Sequence, residues 1–357
     1  MVITGGGTGG HVFPALRIAK AFQRTGTDVL YIGSEKGMES KLSKEAEVNF
    51  KSVLTGKLRR YFAWKNFSDP FLIIAGFFQS YLILRKFSPQ VVFSKGGYVS
   101  VPVSLAAWLL RIPVVLHESD MSPGLANRIL IRFAKKICFS FKESSKYVKS
   151  KKYVITGNPI REELFLGDIE KAKVITEFNE ELPVILVCGG SLGSSDLNNL
   201  ISKSLEKILK YSQVILQCGK GKQIPIDKDL KNKNRFFQVE FVGVKALANL
   251  YKLANIIVSR AGASQITELA FLGKPSILIP LGLKMSRGDQ ILNAKVLEKT
   301  KSSIVLNSDE ITPDIFCKSL EKLVNNKKLQ DKLSKSIKRY YEVDTVKKIV
   351  KEIKEVI

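Results

Sequence analysis

The sequence predicts an α/β protein made of two Rossmann-like domains, each with a parallel sheet. Three observations lead to this fold class. Short apolar runs alternate with helical patterns, the alternation starts again after residue 181, and a glycine-rich turn follows the first run of each half. Runs without polar interruptions are typical of strands that crossover helices bury on both faces. Ligands are therefore expected at the carboxyl ends of these strands.

The chain begins MVITGGGTGGHVFPALRIAKAF, which predicts a short strand, a glycine turn and an amphipathic helix over residues 12–22. Gly5, Gly7 and Gly10 fit the spacing G-x-G-x-x-G, in which backbone N–H groups and a helix N-terminus approach a phosphate. A turn that only packs the helix against the strand would show the same spacing. Taken alone, the opening leaves both alternatives.

The other strands are expected where β-branched runs stand one helix length apart. In the first half these runs are residues 28–32, 90–94, 113–117, 136–140 and 153–157; in the second half they are residues 184–188, 214–218, 237–242, 256–260, 276–280 and 303–306. We predict domains at residues 1–160 and 161–335, with residues 336–357 as a helix that packs back on the first domain.

The chain is strongly basic. Its 57 Lys and Arg residues against 33 Asp and Glu residues give a net charge of +24. This excess favours an anionic partner, although a lysine-rich source proteome would also produce it. The basic residues are scattered lysines rather than arginine-rich stripes with aromatics, so we expect a phosphorylated ligand or an acidic membrane and no nucleic acid. Four widely separated cysteines and the lack of a leader pattern favour the cytoplasm.

One segment departs from the alternation. Residues 71–84 form an almost continuous apolar helical pattern, with Lys57, Arg59, Arg60 and Lys65 before it and Arg85 and Lys86 after it. Its length falls short of the roughly 20 residues that span a bilayer. A buried core helix and a surface helix are the alternatives. The basic and aromatic rim favours adhesion to an anionic membrane surface.

Four glycine-containing loops stand at the carboxyl ends of predicted strands, at residues 5–11, 94–102, 189–195 and 260–268. Absent side chains let backbone N–H groups face a phosphate in such loops. Glu268, in the second turn of the helix after the fourth loop, can accept hydrogen bonds from both hydroxyls of a ribose. If two sheets face a cleft, the loops suit a nucleotide-diphosphate donor on one domain and an acceptor on the other.

The two histidines of the chain, His11 and His117, also fall at the carboxyl ends of strands. Either one could act as a general base near neutral pH or be a buried structural side chain. The carboxylates near the loops form no D-x-D pattern, so we expect no metal. Backbone N–H groups, helix N-termini and basic side chains would then meet the charge of a leaving diphosphate.

Seven segments in order resemble the signature blocks of the MurG family of N-acetylglucosaminyltransferases. They are GGGTGGHVFPAL, SKGGYVSVP, PVVLHESDMSPGLANR, GNPIR, GGSLGSSDLN, SRAGASQITELAFLGKPSILIPL and DQILNA. The resemblance implies a metal-independent GT-B glycosyltransferase at the cytoplasmic face of the inner membrane. It would transfer N-acetylglucosamine from UDP to the 4-hydroxyl of N-acetylmuramic acid on the undecaprenyl-pyrophosphoryl-pentapeptide (lipid I), inverting the anomeric centre, for peptidoglycan synthesis. Other cell-wall synthesis proteins are implied partners.

The resemblance also implies site residues. Residues 1–160 would hold the acceptor and contact the membrane, and residues 161–335 would bind UDP-N-acetylglucosamine. The implied catalytic residues are His11, Glu118 and His117, and the acceptor side is Gly96, Gly97 and Tyr98. The implied donor contacts are Thr8, Gly9, Gly10, Asp120, Asn127, Arg161, Ser191, Val242, Ala263, Ser264, Gln265, Glu268, Asp289 and Gln290. Among them, the backbone of Val242 would contact uracil, and Glu268 would contact the ribose. Asp289 and Gln290 would contact the sugar.

The chain departs from the family pattern at two places. His117, Glu118, Ser119 and Asp120 stand where the family usually has H-E-Q-N. An ionised aspartate only accepts hydrogen bonds, whereas asparagine also donates. This difference leaves a sugar contact at Asp120 open. Ser264 and Gln265 also replace the usual apolar residue and threonine.

Two other functions remain as alternatives from the residues alone. An NAD-dependent oxidoreductase would use the G-x-G-x-x-G spacing and an acidic residue about 20 positions later, for which Glu35 is a candidate. A basic scaffold that binds nucleic acid would use the charge of +24. The oxidoreductase leaves the second glycine loop and Glu268 unexplained.

Overall fold

The computed structural model describes residues 1–56, 65–149, 152–178, 181–190, 193–227, 229–283, 286 and 288–357, with backbone alone at residues 65–68. The chain forms two compact units. Unit 1 consists of Met1–Ile160 and Glu342–Ile357, and unit 2 of Arg161–Tyr341. The chain returns to unit 1 at Glu342, later than the predicted residue 336. The reason is that Ser336 still bonds within unit 2, where its hydroxyl donates to Thr300 O at 2.9 Å.

The elements of unit 1 alternate as expected for an open α/β sheet. They are β1 (Val2–Thr4), α1 (Gly9–Gln23), β2 (Leu30–Gly33), α2 (Met38–Glu45), β3 (Asn49–Ser52), α3 (Lys65–Phe87), β4 (Val92–Ser94), α4 (Ser100–Leu109), β5 (Val114–Glu118), α5 (Leu125–Leu130), β6 (Lys136–Phe139) and β7 (Tyr153–Ile155).

Unit 2 repeats the alternation. Its elements are α6 (Ile169–Thr176), β8 (Val184–Cys188), α7 (Ser195–Ile208), β9 (Gln213–Gln217), β10 (Phe236–Val239), α8 (Val244–Leu253), β11 (Ile256–Ser259), α9 (Ala263–Leu272), β12 (Ser276–Leu278), α10 (Asp289–Lys299), β13 (Ile304–Val305), α11 (Pro313–Val324) and α12 (Lys327–Ile337). The last helix, α13 (Thr345–Lys354), belongs to unit 1.

Both sheets are parallel. The seven strands of unit 1 lie in the order β3-β2-β1-β4-β5-β6-β7, and the six strands of unit 2 in the order β10-β9-β8-β11-β12-β13. The strand order therefore reverses between β1 and β4 in unit 1 and between β8 and β11 in unit 2. Open α/β sheets bind their ligands at such switch points. The four glycine loops of the sequence follow these four strands.

Several strand bounds differ from the prediction, among them residues 237–242, where β10 is Phe236–Val239. Two of the differences have a clear physical cause. β3 has the sequence NFKS, whose polar residues gave no strand signal, and it forms because it pairs with β2 as an exposed edge. The strand predicted over residues 153–157 ends earlier, at Ile155, since Gly157 has a φ of 80°. Strands end where the backbone leaves the extended region, and apolarity alone does not mark that point.

Helix α3 has 23 residues and extends beyond the predicted residues 71–84 at both ends. By length and composition, its segment Asp69–Phe87 is long and apolar enough to cross a membrane. The prediction that this helix is too short to span a bilayer is therefore wrong. The side chains of Ser80 and Leu84 are fully buried in unit 1, and Gly76 packs on Pro102 of α4. One face of α3 is therefore a packed layer of unit 1.

Candidate functional site

The glycine turn after β1 leads directly into α1. Thr8 O accepts hydrogen bonds from His11 N at 3.0 Å and Val12 N at 3.2 Å, which starts the helix. Its first turn holds no acidic side chain, among the residues the structure describes, so the positive end of the helix dipole faces the loop. Thr8, Gly9 and Gly10 thus lie where an anion would be stabilised.

A buried carboxylate supports this turn from behind. Glu39 in α2 is fully buried and accepts hydrogen bonds from Gly7 N at 3.4 Å and Ser34 N at 3.1 Å. A Cβ on Gly6 would stand 2.5 Å from Glu39 Oε1, so a larger residue there would displace this carboxylate. Tyr31 donates its hydroxyl hydrogen to Gly5 O at 2.7 Å. Sequence reasoning missed Glu39; its only signal was the flanking motif GSEKGMES.

The loop after β4 packs against the same turn. Gly6 N donates to Gly96 O at 3.3 Å, and a Cβ on Gly97 would stand 2.3 Å from Gly6 O. Gly96 and Gly97 have φ values of 93° and 85°, which favour glycine. Tyr98 lies beside Gly7, whose Cβ would come within 2.8 Å of its ring. The structure therefore brings the two predicted glycine loops of unit 1 together.

His117 and Glu118 end β5 beneath these loops. The His117 ring is fully buried, and its Nε2 lies 2.9 Å from Gly157 O. Burial and the neighbouring Lys95 charge lower its pKa, so the ring is neutral near pH 7. His11 also lies close enough for its charge to act on this ring. His117 is therefore placed behind the loop surface.

Glu118 accepts three hydrogen bonds from its neighbours. Its carboxylate accepts from Asp120 N at 2.9 Å, Gly124 N at 3.0 Å and Asn127 Nδ2 at 2.9 Å. Burial raises its pKa, with a further rise from the charge of Asp120. Asn127 also donates to His117 O at 3.3 Å. The predicted residues 117, 118, 120 and 127 thus form one cluster.

In unit 2, the glycine loop after β8 caps α7. Ser194 is the N-cap residue and accepts from Leu197 N at 3.4 Å. The buried Arg260 donates to Ser194 Oγ at 2.5 Å and to Ile279 O at 3.1 Å. Arg260 therefore joins the loops after β8, β11 and β12, a role that sequence reasoning missed. The predicted contact Ser191 lies outside the described residues.

Helix α9 begins at the carboxyl end of β11 with Ala263, Ser264 and Gln265. Its N-cap is Gly262, and its first turn contains no acidic residue within the part of the chain described. Ala263 is buried, while Ser264 and Gln265 are half-buried. This N-terminus suits a phosphate.

Glu268 lies one turn further along α9 and is 7% exposed. Arg161 Nε and Nη2 donate to Glu268 Oε1 at 3.0 and 2.8 Å, and Tyr251 donates to Oε2 at 3.2 Å. Gln265 Nε2 in turn donates to Tyr251 at 2.7 Å. Burial raises the pKa of Glu268, and Arg161 opposes this rise. The structure thus brings two predicted donor contacts, Arg161 and Glu268, into one ion pair.

Helix α10 places the last predicted contacts. Gln290 Oε1 accepts from Ala261 N at 3.3 Å and Leu281 N at 3.1 Å, so this amide links the loops after β11 and β12. Asp289 is the first residue of α10. Val242 is half-buried in the loop between β10 and α8. All three lie at the carboxyl edge of the unit 2 sheet.

Comparisons with known proteins show matches along nearly the whole chain. Residues 1–139 match the glycosyltransferase family 28 N-terminal domain, and residues 184–353 match the glycosyltransferase family 28 C-terminal domain. A protein of Clostridium tetani is 47% identical over 92% of this chain and 90% of its own length. One of Bacillus anthracis is 41% identical over 99% of both chains. Both are named UDP-N-acetylglucosamine–N-acetylmuramyl-(pentapeptide) pyrophosphoryl-undecaprenol N-acetylglucosamine transferase.

Solved structures agree as well. The crystal structure of Acinetobacter baumannii MurG matches with a TM-score of 0.79 and 26% identity over 99% of this chain and 98% of that one. A kitacinnamycin glycosyltransferase shares the fold, with a TM-score of 0.74 and 15% identity over 99% and 98% of the two chains. The predicted fold class, two Rossmann-like units with parallel sheets of the GT-B type, is confirmed. On these matches, the chain belongs to glycosyltransferase family 28.

Proposed function

We propose that this protein transfers N-acetylglucosamine from UDP-N-acetylglucosamine to the 4-hydroxyl of N-acetylmuramic acid in lipid I. The product would be the disaccharide-bearing lipid precursor of peptidoglycan. The observation that carries this proposal is the 41–47% identity, over nearly the full chain, to relatives named for that transfer. The chemistry of the glycine loops and helix N-termini in both units supports it.

Unit 2 would hold the donor. The N-terminus of α9 would stabilise the diphosphate, and Ser191 and Arg161 would add donors to its oxygens. Glu268, one turn along α9, would accept from the ribose hydroxyls. The backbone of Val242 would read uracil, while Asp289 and Gln290 would contact the sugar.

Glu268 already has partners, which bears on donor binding. Its Oε1 accepts from Arg161 through two nitrogens. A ribose that uses the same carboxylate would share it with Arg161 or displace the guanidinium towards the diphosphate. Either outcome keeps the buried carboxylate paired, as an ionised group at 7% exposure requires.

Unit 1 would hold the acceptor at the loops of Gly96, Gly97 and Tyr98. The acceptor 4-hydroxyl would attack C1 of the sugar in line with the departing diphosphate, and the bond from C1 to the diphosphate oxygen would break. Its electron pair would go to the UDP oxygen, and the hydroxyl proton to His11. One such displacement inverts C1.

We also propose that the reaction needs no metal ion. In the described ranges, no group of three or more His, Cys, Asp or Glu side chains stands close enough to hold one. The N-terminus of α9 and the side chain of Arg161 would stabilise the diphosphate instead. Full activity in excess EDTA is the expected result, and a loss that Mg²⁺ restores would contradict this part.

The membrane contact would be peripheral, at the cytoplasmic face. Phe71, Ile74, Phe78 and Leu82 are 53–74% exposed and recur at helical spacing along α3. Arg85 and Lys86 extend this stripe, and both are exposed. An apolar stripe with cations at its end suits adsorption to an anionic leaflet.

The decisive test is transfer of radiolabelled N-acetylglucosamine to a soluble lipid I analogue by the purified chain. We expect a β-linked disaccharide lipid, with free UDP released in equal amount. Protection against heat by NAD and not by UDP would favour an oxidoreductase instead. Salt-sensitive nucleic-acid binding without any sugar transfer would favour the basic scaffold.

A further inference from the structure

Lys95 is a fully buried lysine at the carboxyl end of β4. Only 1% of the residue is exposed. Its backbone N donates to Thr4 O at 2.8 Å, and its Cβ lies 2.9 Å from the place where a Cβ of Gly5 would stand. The stem of Lys95 therefore runs beneath the glycine turn of unit 1. Lysine is seldom buried in this way without a charged partner.

The ammonium group points to the segment after β5. Lys95 Nζ donates a hydrogen bond to Ser119 Oγ, and Ser119 is itself buried. Glu118 and Asp120 flank this serine. Burial lowers the pKa of Lys95, whereas the charges of Glu118, Asp120 and the Cys138 thiol raise it. The same ammonium lowers the pKa of His117.

Glu118 carries its negative charge in a buried and hydrogen-bonded position. Glu118 already accepts three N–H groups, from Asp120, Gly124 and Asn127. The charge of Asp120 raises the pKa of Glu118, because two negative groups so close repel each other. A positive charge at this place offsets that repulsion. Lys95 supplies it from within the protein.

The residues of this segment fit that interpretation. Asp120 adds a second carboxylate two residues after Glu118, and a carboxylate lacks the donor that an amide has. Ser119 has a short side chain, and the buried ammonium donates to its hydroxyl. Lys95 therefore supplies this segment with both a positive charge and a hydrogen-bond donor.

We propose that Lys95 is a positioning residue of the transfer site, and that its buried ammonium holds Ser119 by a hydrogen bond and offsets the negative charges of Glu118 and Asp120. At 1% exposure Lys95 acts through these neighbours rather than on the substrates. The inference rests on the proposed function for its effect on catalysis, and on the cluster alone for its effect on folding.

The test is a double-mutant cycle with Lys95→Met, Asp120→Asn and both together. Methionine keeps the length of the stem and removes the charge. We expect Lys95→Met to lower kcat/KM about tenfold or more in the native background, and about threefold or less beside Asp120→Asn. Thermal unfolding of unit 1 should show the same coupling, with about 5 °C of the loss recovered in the double variant.

A pH profile separates this role from simple packing. Without the ammonium, the buried carboxyl of Glu118 holds its proton to higher pH. The acid limb of kcat/KM should therefore shift upward in Lys95→Met, and shift less beside Asp120→Asn. Lys51→Met, on the exposed edge strand β3, is the matched control and should shift neither limb.

Additive effects in both activity and unfolding would overturn the inference. If Lys95→Met alone does not fold, soluble yield becomes the readout: recovery beside Asp120→Asn supports the pairing, and equal loss refutes it. Absence of sugar transfer by the native chain would instead defeat the proposed function, and the unfolding cycle would still decide the role of Lys95.

Discussion

Glu268 and His11 are the two residues whose proposed roles can be separated by kinetics. Glu268→Gln keeps the shape of the side chain but removes the charge that pairs with Arg161 at 2.8 Å. We expect KM for UDP-N-acetylglucosamine to rise about 10- to 100-fold, because charged hydrogen bonds to the ribose are lost. The value of kcat should change little.

Isothermal titration with UDP checks the same loss directly. Glu298→Gln, at an exposed position of α10 in the same unit, is the control and should bind UDP normally. An unchanged UDP affinity in Glu268→Gln would remove Glu268 from the donor site.

His11→Ala should show the opposite pattern. If His11 takes the proton of the acceptor hydroxyl, kcat falls about 10²- to 10⁴-fold while the UDP affinity stays near native. Steady-state kinetics with both substrates varied measures this split. A fall in UDP affinity as large as that of Glu268→Gln would contradict the assignment of a base.

Lys274 gives a prediction on pH and stability. Burial lowers its pKa from 10.5 to about 8, and its Nζ donates to Ala254 O at 2.5 Å. Between pH 8 and 10.5 the unfolded chain binds a proton that the folded chain does not, so the free energy of unfolding rises with pH there.

This rise amounts to about 1–3 kcal/mol and should vanish in Lys274→Met. Denaturant unfolding of unit 2 at pH 7.5, 9 and 10.5 measures it. The control Lys245→Met, exposed on α8, should keep the rise. A Lys274→Met variant with the native pH dependence would assign the titration to another group.

Among the elements, helix α3 has one face that packs on unit 1 and one face that is exposed. Ser80 and Leu84 are buried in unit 1, whereas Phe71, Phe78 and Leu82 are 60–74% exposed. Phe77, although apolar and adjacent, packs against the core. Replacing Phe77 would therefore disturb the fold, and a clean test of membrane contact must use the exposed residues.

The triple variant Phe71→Ser, Phe78→Ser, Leu82→Ser should lose at least tenfold in binding to anionic vesicles, because each side chain contributes about 1.5 kcal/mol or more when buried in lipid. Vesicle flotation measures binding, and the unfolding temperature should stay native. Phe165→Ser, a 55% exposed aromatic of unit 2, is the control. Native flotation of the triple variant would leave α3 without a role in adhesion.

At the scale of the whole molecule, the last helix stabilises the first unit. Ile349 and Ile353 of α13 are fully buried in the core that contains Ile18 of α1. Lys136 on β6 pairs with Glu352 at 2.6 Å. The helix that completes unit 1 therefore follows the whole of unit 2 in the sequence.

Ile349→Ala should lower the stability of unit 1 by about 2–5 kcal/mol through the cavity it leaves. Calorimetry with and without UDP identifies the transitions, since a ligand stabilises only the unit that binds it. Val343→Ala, at a 66% exposed position nearby, should have little effect. Equal shifts of both transitions would mean that the two units unfold together.

The sequence predicted much of the fold, for a physical reason. Strands buried on both faces need unbroken apolar runs, so β8 was placed at residues 184–188 as observed. β3 was not predicted, because NFKS lies at an exposed edge of the sheet, where pairing with the neighbouring strand rather than burial forms the strand. The length of α3 was underestimated because its ends, up to Lys65 and Phe87, are helical without being continuously apolar.

The order of the elements, the glycine turns and the motifs of the family can be recognised from the sequence, because these are local properties of the chain. Which distant side chains meet depends on the tertiary structure. Lys95 reaches Ser119, Glu39 supports Gly7, and Arg161 pairs with Glu268 because parallel strands and their crossover helices bring those positions together. Burial then makes each charge depend on its partner, and no spacing of residues along the chain reveals that dependence.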